Sequence, residues 1–305
     1  MSKKVLVLGG SYFAGRVFVM VASQKGYHLT VVNRGRFSVK SYDHVTEYVC
    51  DRHDLQTLSK LPLEDEYDAV VDFCAYEPGD IENMWKHLPC TFRRYIYIST
   101  ADVYEPTAEI RNEESRLIRK EGAGQIDSYT YNKMLLESEL YACAKQYGRE
   151  YVVLRPAFIY GPFNYAPRES YYIKKIVEGV PLPVPGDSTG KFQMVFVKDV
   201  ARAIVLCVEE EKAANQGYIL SAPEILDYDT FIQLLRTVSD LPFTVETLPL
   251  EEIIEKSIPL PFPLTEAENE LFAGEKITKE LPFAYSGLQE NMKFTYQNFK
   301  SVYQN

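Results

Sequence analysis

The sequence predicts an α/β protein: a doubly wound parallel sheet with helices on both faces, and a smaller, mainly helical C-terminal domain that takes the substrate. Three observations predict it. The apolar run Val5 to Leu8 ends in the turn Gly9-Gly10-Ser11-Tyr12-Phe13-Ala14-Gly15. Short apolar strands then alternate with helical segments as far as Leu154. A Tyr-x-x-x-Lys pair, Tyr129 and Lys133, follows the fifth strand at the start of a long helix. The expected division places residues 1–165 and about 192–222 in the nucleotide-binding part, and about 166–191 with 223–305 in the substrate part.

The first strand reads as buried on both faces, as in a parallel sheet. Gly9 and Gly10 turn the backbone where a Cβ is costly. The helix that follows carries Phe13, Val17 and Val21 on one face. Gly15 stands where that helix must approach its strand. A pyrophosphate at this turn, beside Gly9, Ser11, Tyr12 and Phe13, meets free N–H groups and the positive end of the helix dipole. The spacing is GxxGxxG with Tyr12 in place of the middle glycine. The ring of Tyr12 must therefore point outward or lie over the cofactor. The bland alternative is a plain strand-to-helix turn.

The second strand, His28 to Val32, ends in Asn33-Arg34-Gly35-Arg36. An NAD site usually has an Asp or Glu here for the ribose 2′-hydroxyl. Asn33, Arg34 and Arg36 stand there instead, and an arginine can bind a 2′-phosphate. NADP is favoured over NAD, unless both arginines are solvated loop residues. A third strand, Thr46 to Cys50, leads to Asp51 and Arg52, where Asp51 can accept from an adenine amino group. Asp54 reads as a helix cap. A fourth strand, Ala69 to Phe73, leads to Ala75 and Tyr76, where small residues suit close approach to a cofactor. A helix over 80–87 and a fifth strand over 94–99 complete the half. The polar segment 105–127, with Gly122 and Gly124, reads as a surface loop able to fold over a ligand. A helix over 128–147 and a sixth strand, Tyr151 to Leu154, cut off by Arg155-Pro156, follow. Beyond Pro162 the spacing predicts helices over 170–178, 198–209, 228–238, 250–256 and 265–272, strands over 194–197 and 217–220, and a rigid proline loop at 181–186.

Composition excludes several classes. A hydrophobic content of 46% and a charged content of 25% are those of a globular protein. The net charge of −10 argues against a nucleic-acid partner. No run approaches the ~18 apolar residues of a membrane helix. The start, Met-Ser-Lys-Lys, leaves no room for a signal peptide, and the five scattered cysteines suit a reducing compartment, so a cytoplasmic protein is expected. The four histidines have no metal-ligand spacing, and no metal is expected.

Chemistry concentrates at Tyr129 and Lys133. Residues i and i+4 share a helix face, so the ammonium can sit near the phenol and lower its pKa from about 10. Tyr129 can then exchange a proton with an alcohol or carbonyl oxygen.

GGSYFAG (9–15), ISTADVY (98–104), YTYNK (129–133), LRPAFIYGP (154–162) and FVKDVARAI (196–204) together resemble the extended, atypical short-chain dehydrogenases/reductases of the NAD-dependent epimerase/dehydratase family. The resemblance implies a Rossmann sheet. It implies that Thr100 holds the reacting oxygen, with Ser99 as the neighbouring candidate. Tyr129 resembles the acid/base, and Lys133 its partner, which also bonds the nicotinamide ribose. Pro156, Ala157 and Ile159 resemble cofactor-lining residues, and Asp199 a structural acid at a helix start. A small-molecule substrate, a sugar or sugar nucleotide, is implied. So is a homodimer through the helix pair that includes the YxxxK helix. In the family's 4,6-dehydratases two acids follow the threonine; here Ala101-Asp102 follow it, leaving Asp102 as a lone acid or a turn residue. The expected function is NAD(P)-dependent oxidation or epimerisation of a secondary alcohol or ketone. The alternative is a non-catalytic NAD(P)-sensing or RNA-associated member.

Overall fold

The computed structural model describes residues 2–118 and 125–304. The first half runs β1 (Lys4–Leu8), α1 (Phe13–Gln24), β2 (His28–Asn33), β3 (Val45–Val49), α2 (Leu55–Leu58), β4 (Glu66–Asp72), α3 (Asp80–His87), β5 (Thr91–Ile98), α4 (Gln125–Tyr147) and β6 (Glu150–Pro156). The second runs β7 (Phe158–Tyr160), α5 (Glu169–Glu178), β8 (Leu182–Pro185), β9 (Met194–Phe196), α6 (Val197–Glu209), β10 (Gln216–Leu220), α7 (Tyr228–Val238), β11 (Val245–Leu248), α8 (Leu250–Glu255), α9 (Glu275–Glu280) and α10 (Leu288–Tyr303). Seven strands form one parallel sheet in the order β10-β6-β5-β4-β1-β2-β3. Strand order reverses between β1 and β4, and a crevice opens beyond their carboxyl ends, where ligands bind in such sheets.

The continuous apolar run of β1 is explained by cover on both faces. Val5 and Val7 pack with Phe18 of α1 and Ile204 of α6, while Leu6 and Leu8 pack with Met84 of α3 and Leu136 of α4. Asp54 caps α2, accepting from the Thr57 N–H at 3.1 Å. An aromatic core holds the last third. The rings of Phe192 and Phe262 stack at 4.0 Å, and Phe231 meets Phe262 edge-on at 4.8 Å. This core is continuous with the α1/α6 face of the sheet.

Several elements differ from the sequence reading. Strand β6 is not cut off by Arg155-Pro156: Pro156 pairs with Leu220, at the strand's last position, where the N–H it lacks costs least. The proline loop holds a strand, β8, paired with β11. Its prolines alternate, so the donors at Leu182 and Gly186 still reach Thr244 and Leu248. The helix expected over 265–272 is one short turn, Glu266–Glu268. A reciprocal Thr265/Glu268 capping box starts that turn. Beyond it the chain extends, because Gln193 and Arg111 take its polar groups: Phe272 donates to Gln193 Oε1 at 2.7 Å, and Leu271 accepts from the Arg111 N–H at 3.0 Å. Helices α9 and α10 were not anticipated, although Met292, Thr295, Tyr296 and Phe299 mark a buried stripe at helical spacing. The segment 105–118 is not a free surface loop. Arg111 is 3% exposed and ties it to residues 269–271. Residues 119–124 of that expected loop, including Gly122 and Gly124, lie outside the described residues, and 125–127 begin α4.

Under the carboxyl edge of the sheet, Glu137 of α4 and Arg155 of β6 are buried together, with Nε–Oε1 at 2.9 Å and Nη2–Oε2 at 2.6 Å. Ser99 donates to Glu137 at 2.6 Å, and Arg155 donates to the Tyr104 hydroxyl at 2.8 Å. Removing one partner strands a charge in the interior. Arg155→Met is expected to lower stability to urea by about 3–5 kcal/mol; a loss under ~1 kcal/mol, the scale of an exposed pair, would contradict it.

Candidate functional site

The glycine turn has the geometry its spacing requires. Gly9 and Gly10 have φ of +88° and +69°. A Cβ on Gly15 would stand 2.6 Å from the Gly10 Cα, so α1 packs directly on the turn. The first turn of α1 carries no acidic side chain and Tyr12 makes no side-chain cap bond, so its N–H groups face the crevice without a competing anion.

A cavity of about 630 Å³ opens beside this turn. Gly9, Ser11 and Tyr12 line it from the turn, Asn33 and Arg34 from the end of β2, Asp51 and Arg52 from the end of β3, and Tyr76 from beyond β4. Those eight were candidate cofactor residues, and the structure brings them together. The lining also includes Arg36, Phe37, Cys50, His53, Cys74, Glu77, Asp80 and Tyr165. Of these, Phe37, Cys50, His53, Glu77, Asp80 and Tyr165 were not expected at the site, and no local motif marks them; Cys74 is one of the small residues after β4. Phe13, Gly15, Ala75, Ser99, Tyr129, Lys133, Pro156 and Ile159 lie outside this lining. The size, the open helix terminus and the cradle that a Cβ would fill suit a dinucleotide.

The side chains in the lining differ in how free they are. Asn33 is committed: its amide donates to Glu47 at 2.7 Å and its oxygen accepts from the Gly35 N–H at 2.6 Å. Glu47 also takes Ser38 and Val39, and so fixes the loop after β2. Arg34 and Arg36 form no ion pair with any described residue. Arg52 is buried and gripped by Asp72 at 2.9 and 3.1 Å and by the Asp80 carbonyl at 2.8 Å. Asp72 is also bonded by Tyr95 and the Cys74 N–H. Burial alone would raise its pKa, but Arg52 wins and holds the carboxyl below its ordinary value. Arg52 is thus the pocket's keel, with its N–H groups turned toward the protein.

Beyond Tyr76 lie the candidate catalytic groups. Lys133 is 2% exposed, and its ammonium donates to the carbonyls of Ala75 at 3.1 Å and Ile98 at 2.8 Å. The rings of Tyr76, Tyr97 and Tyr129 surround it at 4.8, 4.7 and 5.9 Å. Burial pushes its pKa down to about 8. The sequence reading expected Lys133 to lower the pKa of Tyr129. The structure reverses that: burial, then Asp102, raise it, because the ammonium is turned to two carbonyls. Of the two hydroxyl candidates, Ser99 is spent on Glu137, while Thr100 caps the turn 101–103 at the sheet's lip, accepting from the Asp102 N–H at 3.3 Å. Burial raises the pKa of the Asp102 carboxyl, against a bond from Thr100. Pro156 and Ile159 lie by the strand pairs β6/β10 and β7/β9. Asp199 is buried and bonds Ser286 and Arg202, tying α6 to the approach to α10. Among the described residues no three His, Cys, Asp or Glu side chains gather as a metal site, and no helix is long and apolar enough to cross a membrane.

Residues 84–221 match the model of the NAD dependent epimerase/dehydratase family. Over that segment the chain is similar to members of that family. The chain is 26% identical over 240 residues to the chloroplast stem-loop binding protein of 41 kDa b of Arabidopsis thaliana; the match covers 74% of the chain and 61%, under two thirds, of that relative. It is 26% identical over 267 residues to UDP-glucose 4-epimerase of Vibrio cholerae, covering 79% of the chain and 77% of the enzyme. In fold it resembles the UDP-glucuronic acid 4-epimerase of Bacillus cereus, solved with NAD, with a TM-score of 0.77 at 19% identity over 98% of this chain and 99% of that one.

The pKa of Lys133 gives the protein a measurable signature. Below about pH 8 its ammonium is charged in both the folded and unfolded states, and folding bears the full cost of burying it. Between about 8 and 10.5 the unfolded chain binds the extra proton, so stability rises with pH. Across that window the wild type is expected to gain about 3 kcal/mol on Lys133→Met in urea unfolding. A pH-independent difference would contradict the assignment.

Proposed function

We propose that the chain is an NAD(P)-dependent epimerase or oxidoreductase acting on a secondary alcohol or ketone of a sugar nucleotide. One observation carries the reading: the dinucleotide-sized cavity at the glycine turn ends at Tyr76, next to Lys133, Tyr129 and the Thr100 lip. The UDP-glucose 4-epimerase relative supports the substrate class.

In this reading the turn 9–15 would receive the pyrophosphate, and a bound dinucleotide would supply the hydride when a carbonyl is reduced and take it up when an alcohol is oxidised. Thr100 holds the reacting oxygen by its hydroxyl. Tyr129, a neutral phenol at neutral pH, gives its phenolic proton to a carbonyl oxygen, and takes it back in the reverse direction. Lys133, with a pKa of about 8, is mostly charged at neutral pH and, donating to the carbonyls of Ala75 and Ile98, holds the wall beneath the rings of Tyr76 and Tyr129. Arg34 and Arg36, without acidic partners, favour a 2′-phosphate and hence NADP over NAD.

Thermal unfolding with NAD+, NADH, NADP+ and NADPH tests the cofactor. A ligand at 100 times its dissociation constant stabilises the native state by about 2.7 kcal/mol. The larger shift is expected from the phosphorylated pair, and Arg34→Ala should erase the difference. Larger shifts with NAD+ and NADH would refute the preference.

Turnover of UDP-glucose, UDP-glucuronic acid and dTDP-glucose tests the chemistry. Tyr129→Phe should lower it by at least ~100-fold while dinucleotide affinity stays within about twofold. Retained activity in that variant would sink the assignment. The stem-loop binding relative favours a second reading, an RNA-associated protein. That reading predicts tight, salt-sensitive binding of a stem-loop RNA, unaffected by Tyr129→Phe.

A further inference from the structure

Three rings from separate parts of the chain lie over the dinucleotide cavity. Tyr12 belongs to the glycine turn, Phe37 to the loop between β2 and β3, and Tyr165 to the segment between β7 and α5. The ring of Tyr12 is sandwiched: Phe37 lies 4.8 Å away with 8° between planes, and Tyr165 lies 5.4 Å away with 19°. Tyr165 also meets Phe13 edge-on at 5.8 Å. All three stacked rings line the cavity.

The stack joins the loop after β2 to the segment before α5 along the cavity lining. At the Phe37 end, Arg36 lies 5.6 Å from the ring centroid, in the corner where a 2′-substituent would sit. At the other end, Tyr165 is close enough to Tyr76 and Tyr129 to raise the pKa of both. The rings are held mainly by their faces. They are 44%, 37% and 65% exposed for Tyr12, Phe37 and Tyr165, and no described residue hydrogen-bonds the hydroxyl of Tyr12 or Tyr165. A glycine at position 12 would leave the groove open in the middle; the tyrosine supplies the ring that joins the other two.

We propose that Tyr12, Phe37 and Tyr165 form a movable roof that lifts to admit the dinucleotide and, once closed, keeps it in place between turnovers. This rests on the reading of the chain as a dinucleotide-dependent enzyme. It also narrows the reaction. An enzyme that inverts a stereocentre returns its dinucleotide to the starting redox state in every cycle and need not release it. A net oxidoreductase must exchange it. The roof therefore belongs with inversion.

The test is the release of NADH and NADPH, followed by their fluorescence in stopped flow, from the wild type and from Phe37→Ala and Tyr165→Ala. The two variants lie on different segments and truncate exposed side chains, so a folding defect common to both is not expected; circular dichroism checks each. Release of the bound dinucleotide should be about tenfold faster from each variant. AMP, which stops short of Tyr165, should bind Tyr165→Ala within about twofold of the wild type. Release at the wild-type rate from either variant would overturn the roof while leaving the dinucleotide reading intact. Equal weakening of AMP and dinucleotide by Tyr165→Ala would overturn it as well. If AMP, NADH and NADPH all fail to bind the wild type, the dinucleotide reading and the roof fall together.

Discussion

The buried pair of Glu137 and Arg155 fixes the frame of the candidate site. Arg155 is on β6 and Glu137 on α4, one helical turn beyond Lys133. Ser99, at the end of β5, shares the same carboxylate. Helix and two strands are therefore locked together at the carboxyl edge of the sheet. That lock aims Lys133 at the carbonyls of Ala75 and Ile98, and sets the Tyr129 ring beside that of Tyr76. A charge pair this deep is costly to desolvate, and its value lies in register more than in net stability.

A second buried pair does the same for the cofactor pocket. Arg52 and Asp72 join the ends of β3 and β4, and Arg52 reaches on to the start of α3 through the Asp80 carbonyl. The polar groups at the sheet's edge are thus sorted into two kinds. Arg52, Asn33 and Ser99 are consumed by the protein and shape the walls. Arg34, Arg36 and Tyr129 keep their polar ends unpaired within the described fold. A ligand meets the second kind.

Much of this was legible in the chain. Gly9, Gly10 and Gly15 announced the turn, because a side chain at those positions collides with backbone or needs a left-handed φ. Alternation of strand and helix announced the sheet. The glycine turn and the ends of β2, β3 and β4 gave about half of the cavity lining, since a parallel sheet must bring those ends together. The other half was hidden. Phe37 and Tyr165 stand in irregular segments with no periodicity, and only the folded chain stacks them on Tyr12. The expected effect of Lys133 on Tyr129 failed for a related reason: helical spacing fixes that two residues share a face, but not which carbonyls the ammonium will find.

The sequence by itself determined the class of sheet, the glycine turn and the order of the motifs, because these follow from local sterics and from the period of buried residues. The tertiary structure decided which polar side chains remain free. It also decided that residues 105–118 are pinned by Arg111 to residues 269–271, and that three rings far apart in the chain meet over one groove. Those outcomes depend on contacts between distant segments, and no local spacing encodes them.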